Sequence, residues 1–324
     1  MNFVVLYCNK NQYEMFEEFF FKYSPVNFSD VDIMVFDDNS SLEQKEKLKN
    51  LCKRYENITW INPDVCEDSK APNLTCVKTC DEYLKKNNID KKWILFFEND
   101  VFPFQEDFWQ KLNTKIINNK FLENKVGSFG FSSYQDFKSG VNRNGGSPLM
   151  GRGNLVNEIL NQPHSGWYKN LPDEYYESEY FVVEGVNWQS ICINRKLFNE
   201  CIDIDDRYDN RLLNFDDMSH QFLSKGVFNI VFPSLAIYHD SGELKQNIKL
   251  MIDNNYSRSN NSHSIFTDRW GWSWGYRNLL LREQFKSNLS FWSDKKDLYE
   301  NSMQKKLFET KISDGPKTIE DFNE

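Results

Sequence analysis

Apolar runs and helix-forming stretches alternate through the first hundred residues of this chain, and few folds accommodate that order. Residues 3–8 (FVVLYC), 31–36 (VDIMVF) and 58–61 (ITWI) read as strands rich in β-branched and aromatic side chains. The fourth run, 93–97 (WILFF), has no polar break and stops abruptly at Glu98-Asn99-Asp100. A short apolar run bounded so sharply predicts a strand covered on both faces. Helices are predicted between the runs. One spans 12–23, where Met15, Phe16, Phe19 and Phe20 share a face, and one spans 42–55, with Leu48, Leu51 and Cys52 inward. A third spans 72–87 and opens on Pro72, whose missing N–H is not needed in a first turn. The order predicts an α/β fold with a parallel, doubly wound sheet. Ligands of such sheets bind just beyond the carboxyl ends of the strands, so the residues that follow each run carry the functional information.

Beyond Asp100 the pattern predicts a helix near 105–118 and a strand near 126–132. Residues 133–178 change character: glycines such as Gly140, Gly145, Gly146 and Gly151 mix with Tyr134, Trp167 and Tyr168 without periodicity, as in a functional loop or lid. Strand character resumes over 181–193 (FVVEGVNWQSICI), with a short helix over 195–201. A helix over 217–225 ends at Gly226, a suitable C-cap. Short strands follow at 227–232 and 235–238, the second ending at His239. The alternation stops near residue 245. Residues 260–275 are polar and then Trp-rich, helices are expected near 276–287 and 295–308, and 311–324 is a polar tail.

Composition excludes several functions. A net charge of −9 disfavours a nucleic-acid binder held by phosphate contacts. No GxGxxG follows the first strand and no GxxxxGK[ST] occurs, which disfavours a dinucleotide-binding dehydrogenase and a P-loop NTPase. The first apolar run ends after six residues, so neither a signal peptide nor a membrane span is expected there, and no later stretch is long and apolar enough to be transmembrane. Seven cysteines without a CxxC pair predict free thiols, a reducing compartment and a cytoplasmic location, with Cys76 and Cys80 packed on a helix. The Asn- and Lys-rich composition fits an AT-rich microbial or viral genome. Aromatic residues reach 16%; most Phe suit the core, while Trp and Tyr also suit a cleft that faces sugar rings.

Each polar cluster admits two readings. Asp37-Asp38-Asn39 is what a strand-to-helix turn needs, and it is also what hydrogen-bonds a base or a ribose. Glu98-Asn99-Asp100 is a solvated loop or a site for a hard divalent cation shared with a diphosphate. Asp216-Asp217 complements a helix dipole or supplies a general base. His239 is structural unless it faces the same cleft as Asp100, where its imidazole would complete a metal's shell.

Taken in order, these clusters resemble the GT-A glycosyltransferases, and among them the family 2-like inverting enzymes. The resemblance covers residues 1–240. FVVEGVNWQSICINRKLF (181–198) is similar to that family's acceptor-side strand and helix, and LNFDDMSHQFLSKG (213–226) to its base motif. It implies a GT-A fold with a mixed, mostly parallel central sheet flanked by helices. Residues 1–245 would form the transferase domain, with a nucleotide-binding half at 1–100 and an acceptor half at 101–245, and 246–324 a mainly helical extension. By the same resemblance Asn9, Asp37 and Asp38 hold the nucleoside of a UDP-, GDP- or dTDP-sugar. Glu98 and Asp100 stand where the family has DxD and bind Mn²⁺ or Mg²⁺, joined by His239. Asp217, with Asp216 as the close second, is the base for a glycan or glycoconjugate acceptor. Trp188, Glu184 and Trp270 are acceptor-side candidates, with core packing as the other reading of each Trp, and Arg195 or Lys196 is a candidate local cation for the leaving group. Two departures stand out: Glu replaces the first Asp of DxD, and Asp268-Arg269-Trp270 shares only its last two residues with the QxxRW of polymer synthases, which disfavours polymerisation. The alternatives are a catalytically inactive GT-A-like module and a sugar-nucleotide pyrophosphorylase. The latter is disfavoured because Asn9-Lys10-Asn11-Gln12 stands where its Gly-rich basic loop would be.

Overall fold

The computed structural model describes residues 1–103, 105–134, 151–152, 181–183, 185–186, 189–208, 213–225, 227–239 and 261–270. The four predicted strands form β1 (Phe3–Asn9), β2 (Ile33–Asp37), β3 (Ile58–Ile61) and β4 (Trp93–Phe97), paired in parallel in the order β3-β2-β1-β4. Their crossovers carry α1 (Tyr13–Glu17), which continues as a π-helical stretch over Glu18–Tyr23, then α2 (Leu42–Arg54) and α3 (Pro72–Lys86). Ser41 caps α2 by accepting from Gln44 N at 3.4 Å. Beyond β4 come β5 (Val101–Pro103), α4 (Phe108–Ile116), α5 (Lys120–Lys125), β6 (Val126–Tyr134), β7 (Gly151–Arg152), β8 (Phe181–Val183), β9 (Gly185–Val186) and β10 (Ser190–Asn194). Then follow α6 (Arg195–Cys201), α7 (Asn214–Ser224), β11 (Phe228–His239) and α8 (Asn261–Trp270).

Among the described residues, nine strands share one sheet, ordered β3-β2-β1-β4-β10-β6-β11-β5, with β8 also on β11. β10 runs antiparallel to both β4 and β6, and β11 runs parallel to β6. β1 to β4, β6 and β11 therefore point the same way, and their carboxyl ends share one edge. The sheet is mixed and mostly parallel. β7 and β9 make a separate two-stranded ribbon.

Strand pleating divides the core in two. Val4, Leu6, Cys8, Ile94 and Phe96 face one layer, where Leu74 and Val77 of α3 and Met218 and Phe222 of α7 lie. Phe3, Val5, Tyr7, Leu95 and Phe97 face the other, beneath Phe16, Leu48 and Trp109. Every residue of β1 and β4 is buried, which is why both read as unbroken apolar runs. Gly127 sets how closely α7 approaches the sheet, since a Cβ there would come within 2.5 Å of the Phe222 ring.

Three local expectations change. The two short strands expected before His239 are one strand, β11, with a register shift between Phe232 and Ala236. Gln105 spans that irregularity: its amide donates to Ser234 O and accepts from Ala236 N, both at 3.1 Å. The residues just after Asp100 form β5, antiparallel to the end of β11, before the expected helix begins at Phe108. Three residues are too few to show alternation in a sequence. Finally, α7 starts at Asn214, so Asp216 and Asp217 lie inside its first turn. Residues 261–270, inside the extension expected to be mainly helical, form helix α8. The lid at 133–178, apart from 133–134 and 151–152, and the helices expected at 276–287 and 295–308 fall outside the described residues. All seven cysteines are free thiols, and Cys76 and Cys80 are buried on α3 as expected.

Candidate active site

The carboxyl edge of the sheet gathers most of the predicted residues. Asn9 and Asp37 are direct partners in the β1–β2 register, and both are fully buried. Ser40 ties them together. Its hydroxyl accepts from Asn9 Nδ2 at 3.1 Å and from Asn11 N at 3.0 Å, while its own N–H donates to Asp37 Oδ2 at 3.3 Å. Lys45 Nζ stands 3.8 Å from the same carboxylate. The other oxygen, Asp37 Oδ1, is buried without a hydrogen-bond partner among the described residues. Asp38 turns toward the segment before α3, accepting from Ser69 N at 2.9 Å. The Asp-Asp pair thus divides its work, with Asp38 fixing a loop and Asp37 keeping an acceptor in reserve.

Glu98, Asp100 and His239 form a second cluster beside it, each partly buried, with one ligand atom of each lying within 4.8 Å of the others. β5 makes this possible: Val101 pairs with His239, and His239 Nε2 lies 3.7 Å from Asp100 Oδ2. Gln189, at the turn into β10, supports both sides. Its carbonyl accepts from Glu98 N at 3.0 Å, and its amide nitrogen lies 2.8 Å from His239 Nδ1. In this orientation the amide N–H donates to Nδ1, so the proton of the neutral ring lies on Nε2, which faces Asp100 Oδ2. Two carboxylates and one imidazole suit a divalent Mn²⁺ or Mg²⁺ that keeps open positions for substrate oxygens. Asn99, between the two acids, donates to Gln12 Oε1 at 2.6 Å and so locks this loop to the one following β1.

The first turn of α7 lies at the same edge, with Phe215 packed on Phe96 near the end of β4 at 5.0 Å between rings. Asp217 is fully buried. Its Oδ2 accepts from Gln221 Nε2 at 2.8 Å and lies 3.3 Å from Arg269 Nη1. Asp216 is buried as well, and its carbonyl meets His220 Nδ1 at 2.8 Å.

Sequence reasoning missed Gln189 and Arg269. The residue before β10 had to adjoin Glu98 once β10 runs antiparallel to β4, but the sequence does not announce strand direction. Arg269 reaches Asp217 from a helix outside the resemblance. Glu184, Trp188 and Trp167 fall outside the described residues, and Trp270 ends α8. One expectation is corrected. Arg195 follows β10 at the amino edge of the sheet, where its Nε donates to Asp81 Oδ1 at 2.7 Å and its Nη1 to Lys91 O. With Lys196 it lines a cavity of about 460 Å³ there, far from the carboxyl-edge clusters. Neither residue serves a leaving group at the opposite edge.

Neither a family model nor a curated protein matches the sequence. Solved structures do match in shape. The structure of GalNAc-T7 with UDP, GalNAc and Mn²⁺ superposes with a TM-score of 0.61 at 12% identity, covering 96% of this chain and 56% of that one. The chain has the GT-A glycosyltransferase fold. A mannosyltransferase of Pyrobaculum calidifontis in complex with GDP-Man and Mn²⁺ matches at TM-score 0.46 and 10% identity over 95% of this chain and 72% of that one. Residues 1–349 of S. aureus TarS match at 0.44 and 13% over 75% and 61%. This GT-A chain spans little more than half the length of GalNAc-T7. Its parallel strands β1, β2 and β4 end at the two clusters described above, where ligands of open α/β sheets bind.

Proposed function

We propose that the chain is a metal-dependent glycosyltransferase that moves a sugar from a UDP-, GDP- or dTDP-linked donor to a hydroxyl of a glycan or glycoconjugate. The observation that carries this reading is the convergence of the Asn9–Asp37 pair and the Glu98–Asp100–His239 cluster on one sheet edge. The buried Asp37 Oδ1, without a hydrogen-bond partner among the described residues, supports it, being an acceptor suited to a base N–H or a ribose hydroxyl.

Glu98, Asp100 and His239 would hold Mn²⁺ or Mg²⁺, which when bound neutralises charge on the departing diphosphate. The residues of the chain do the rest. Asp37 and Asn9 orient the nucleoside. Asp217 accepts the proton of the acceptor hydroxyl, whose oxygen forms a bond to the anomeric carbon as the bond to the diphosphate oxygen breaks. A single displacement of this kind inverts the anomeric configuration.

Incubation with a panel of nucleotide sugars and an oligosaccharide acceptor, in Mn²⁺ or in chelator, tests the reading, with NMR of the product reporting the configuration. Metal-dependent transfer with inversion is expected. Retention would remove Asp217 from the base role.

A second reading is an inactive GT-A-like module that binds nucleotide. The complete burial of Asp217 under Arg269 favours it. Nucleotide binding with Mn²⁺ but no transfer and no donor hydrolysis would select it.

A further inference from the structure

We propose that Arg269 is the positioning residue for Asp217, its guanidinium holding that carboxylate ionised and in one orientation at the start of α7. The proposal deepens the reading of Asp217 as the base and rests on it.

The contact is built into the fold. Arg269 Nη1 lies 3.3 Å from Asp217 Oδ2 and 3.6 Å from Asp205 Oδ2, and Nη2 lies 3.7 Å from Asp203 Oδ2. The Asp217 side chain is 0% exposed and that of Arg269 only 20%. The helix that delivers the arginine is anchored on the base-bearing helix. Phe266 is fully buried with its ring edge-on to His220 at 5.1 Å, and Ser262 is buried beside it. On the outer side Arg207 bridges Asp205 and Asp268 at 2.7 and 3.0 Å.

A carboxylate removed from water stays ionised only with an opposing charge or several donors. Among the described residues, the groups around Asp217 are mostly acidic. Asp216 and His220 flank it on α7, with Gln221 as a neutral donor. Asp205 and Tyr208 face it from the segment after α6, with Asp203 farther out, and Arg269 comes from α8. Burial pushes the Tyr208 phenol well above its ordinary range, and Asp217 adds to the effect, so this neighbour is neutral. Among the described residues, the guanidinium is thus a charge that offsets a cluster of acids around a buried base. Without it, those acids would repel one another and Asp217 would gain proton affinity. A base already deprotonated and held in one rotamer is ready when a hydroxyl arrives.

The test is titration of the Asp217 carboxyl by ¹³C NMR in the full chain, its signal assigned by loss in Asp217→Asn. In Arg269→Gln the midpoint is expected to rise by about one pH unit, a tenfold gain in proton affinity. Arg269→Met, which keeps the length and packing of the stem, carries the same test should the Gln variant fail to fold. A midpoint unmoved in the folded variant overturns the proposal, whatever the loss of stability. With the donor and acceptor that turn over in Mn²⁺, the acid limb of kcat/KM is expected to rise in step with the NMR midpoint, and Arg269→Lys to restore most of it. A moved midpoint with Asp217→Asn as active as wild type overturns something different, the base reading itself.

Discussion

Gln189 holds His239 by a 2.8 Å contact between its amide and the ring Nδ1, while its backbone carbonyl takes the N–H of Glu98. One residue at the mouth of β10 therefore sets the imidazole and the first acid of the cluster together. A partner of this kind fixes the orientation of a ring that would ligate a metal. Gln189→Leu keeps the bulk and removes the polar contact. Mn²⁺ affinity measured by isothermal titration calorimetry is expected to fall by about 10–100-fold, with the fold retained by circular dichroism. An unchanged affinity would show that His239 is oriented without Gln189.

At the opposite edge, the buried Asp81 ties α3 to α6. It receives Arg195 Nε at 2.7 Å, Lys85 Nζ at 2.5 Å and Asn199 Nδ2 at 3.1 Å. Burial pushes the Asp81 carboxyl up, but the hydrogen bonds from Lys85, Arg195 and Asn199 outweigh it and hold the group below the usual carboxylate range. A depressed folded-state pKa stabilises the fold above the unfolded value and loses that contribution as the pH falls through the folded value. Asp81→Ala is expected to cost about 3 kcal/mol at neutral pH, because Arg195 is left partly buried and unpaired. In urea unfolding followed from pH 7 to pH 2, the gap between variant and wild type should close below about pH 4. A gap that stays constant across that range would contradict the assignment.

Gly127 tests the packing that places Asp217. Because a Cβ there would meet the Phe222 ring at 2.5 Å, Gly127→Ala must push α7 away from the sheet. A loss of about 1–3 kcal/mol is expected from such overpacking. Combining it with Phe222→Leu, which makes room, should recover part of the loss in thermal unfolding. Additive losses would mean that the helix does not bear on this glycine.

The parallel half of the sheet was legible because β1 and β4 are buried on both faces, so burial wrote them as uninterrupted apolar runs. The ends of the β2 and β4 runs located Asp37, Glu98 and Asp100, since polar residues must appear where a strand leaves the core, while Asn9 came from the family resemblance. What remained illegible depends on strand direction and on contacts remote in sequence. β5 is only Val101–Pro103, too short for a period, yet it aligns His239 with Asp100. β10 carries the same apolar character as its parallel neighbours, so its reversal, and with it the placement of Gln189 beside Glu98 and of Arg195 at the far edge, had no local sign. Arg269 lies in a segment whose polar start concealed a helix. Its approach to Asp217 goes with the packing of Phe266 on His220, which joins α8 to α7 and which no spacing encodes.

The central claim is that the Glu98–Asp100–His239 cluster serves donor chemistry at the edge where Asn9 and Asp37 meet. The most direct measurement is consumption of a panel of UDP-, GDP- and dTDP-sugars by the wild-type chain and by Asp100→Ala, each in Mn²⁺ and in EDTA. At least one donor should be consumed by the wild type in Mn²⁺, with turnover falling by roughly 100-fold or more in EDTA and in Asp100→Ala, a loss of about 3 kcal/mol of transition-state stabilisation. Turnover undiminished by both changes, or no donor consumed under any condition, would contradict the account.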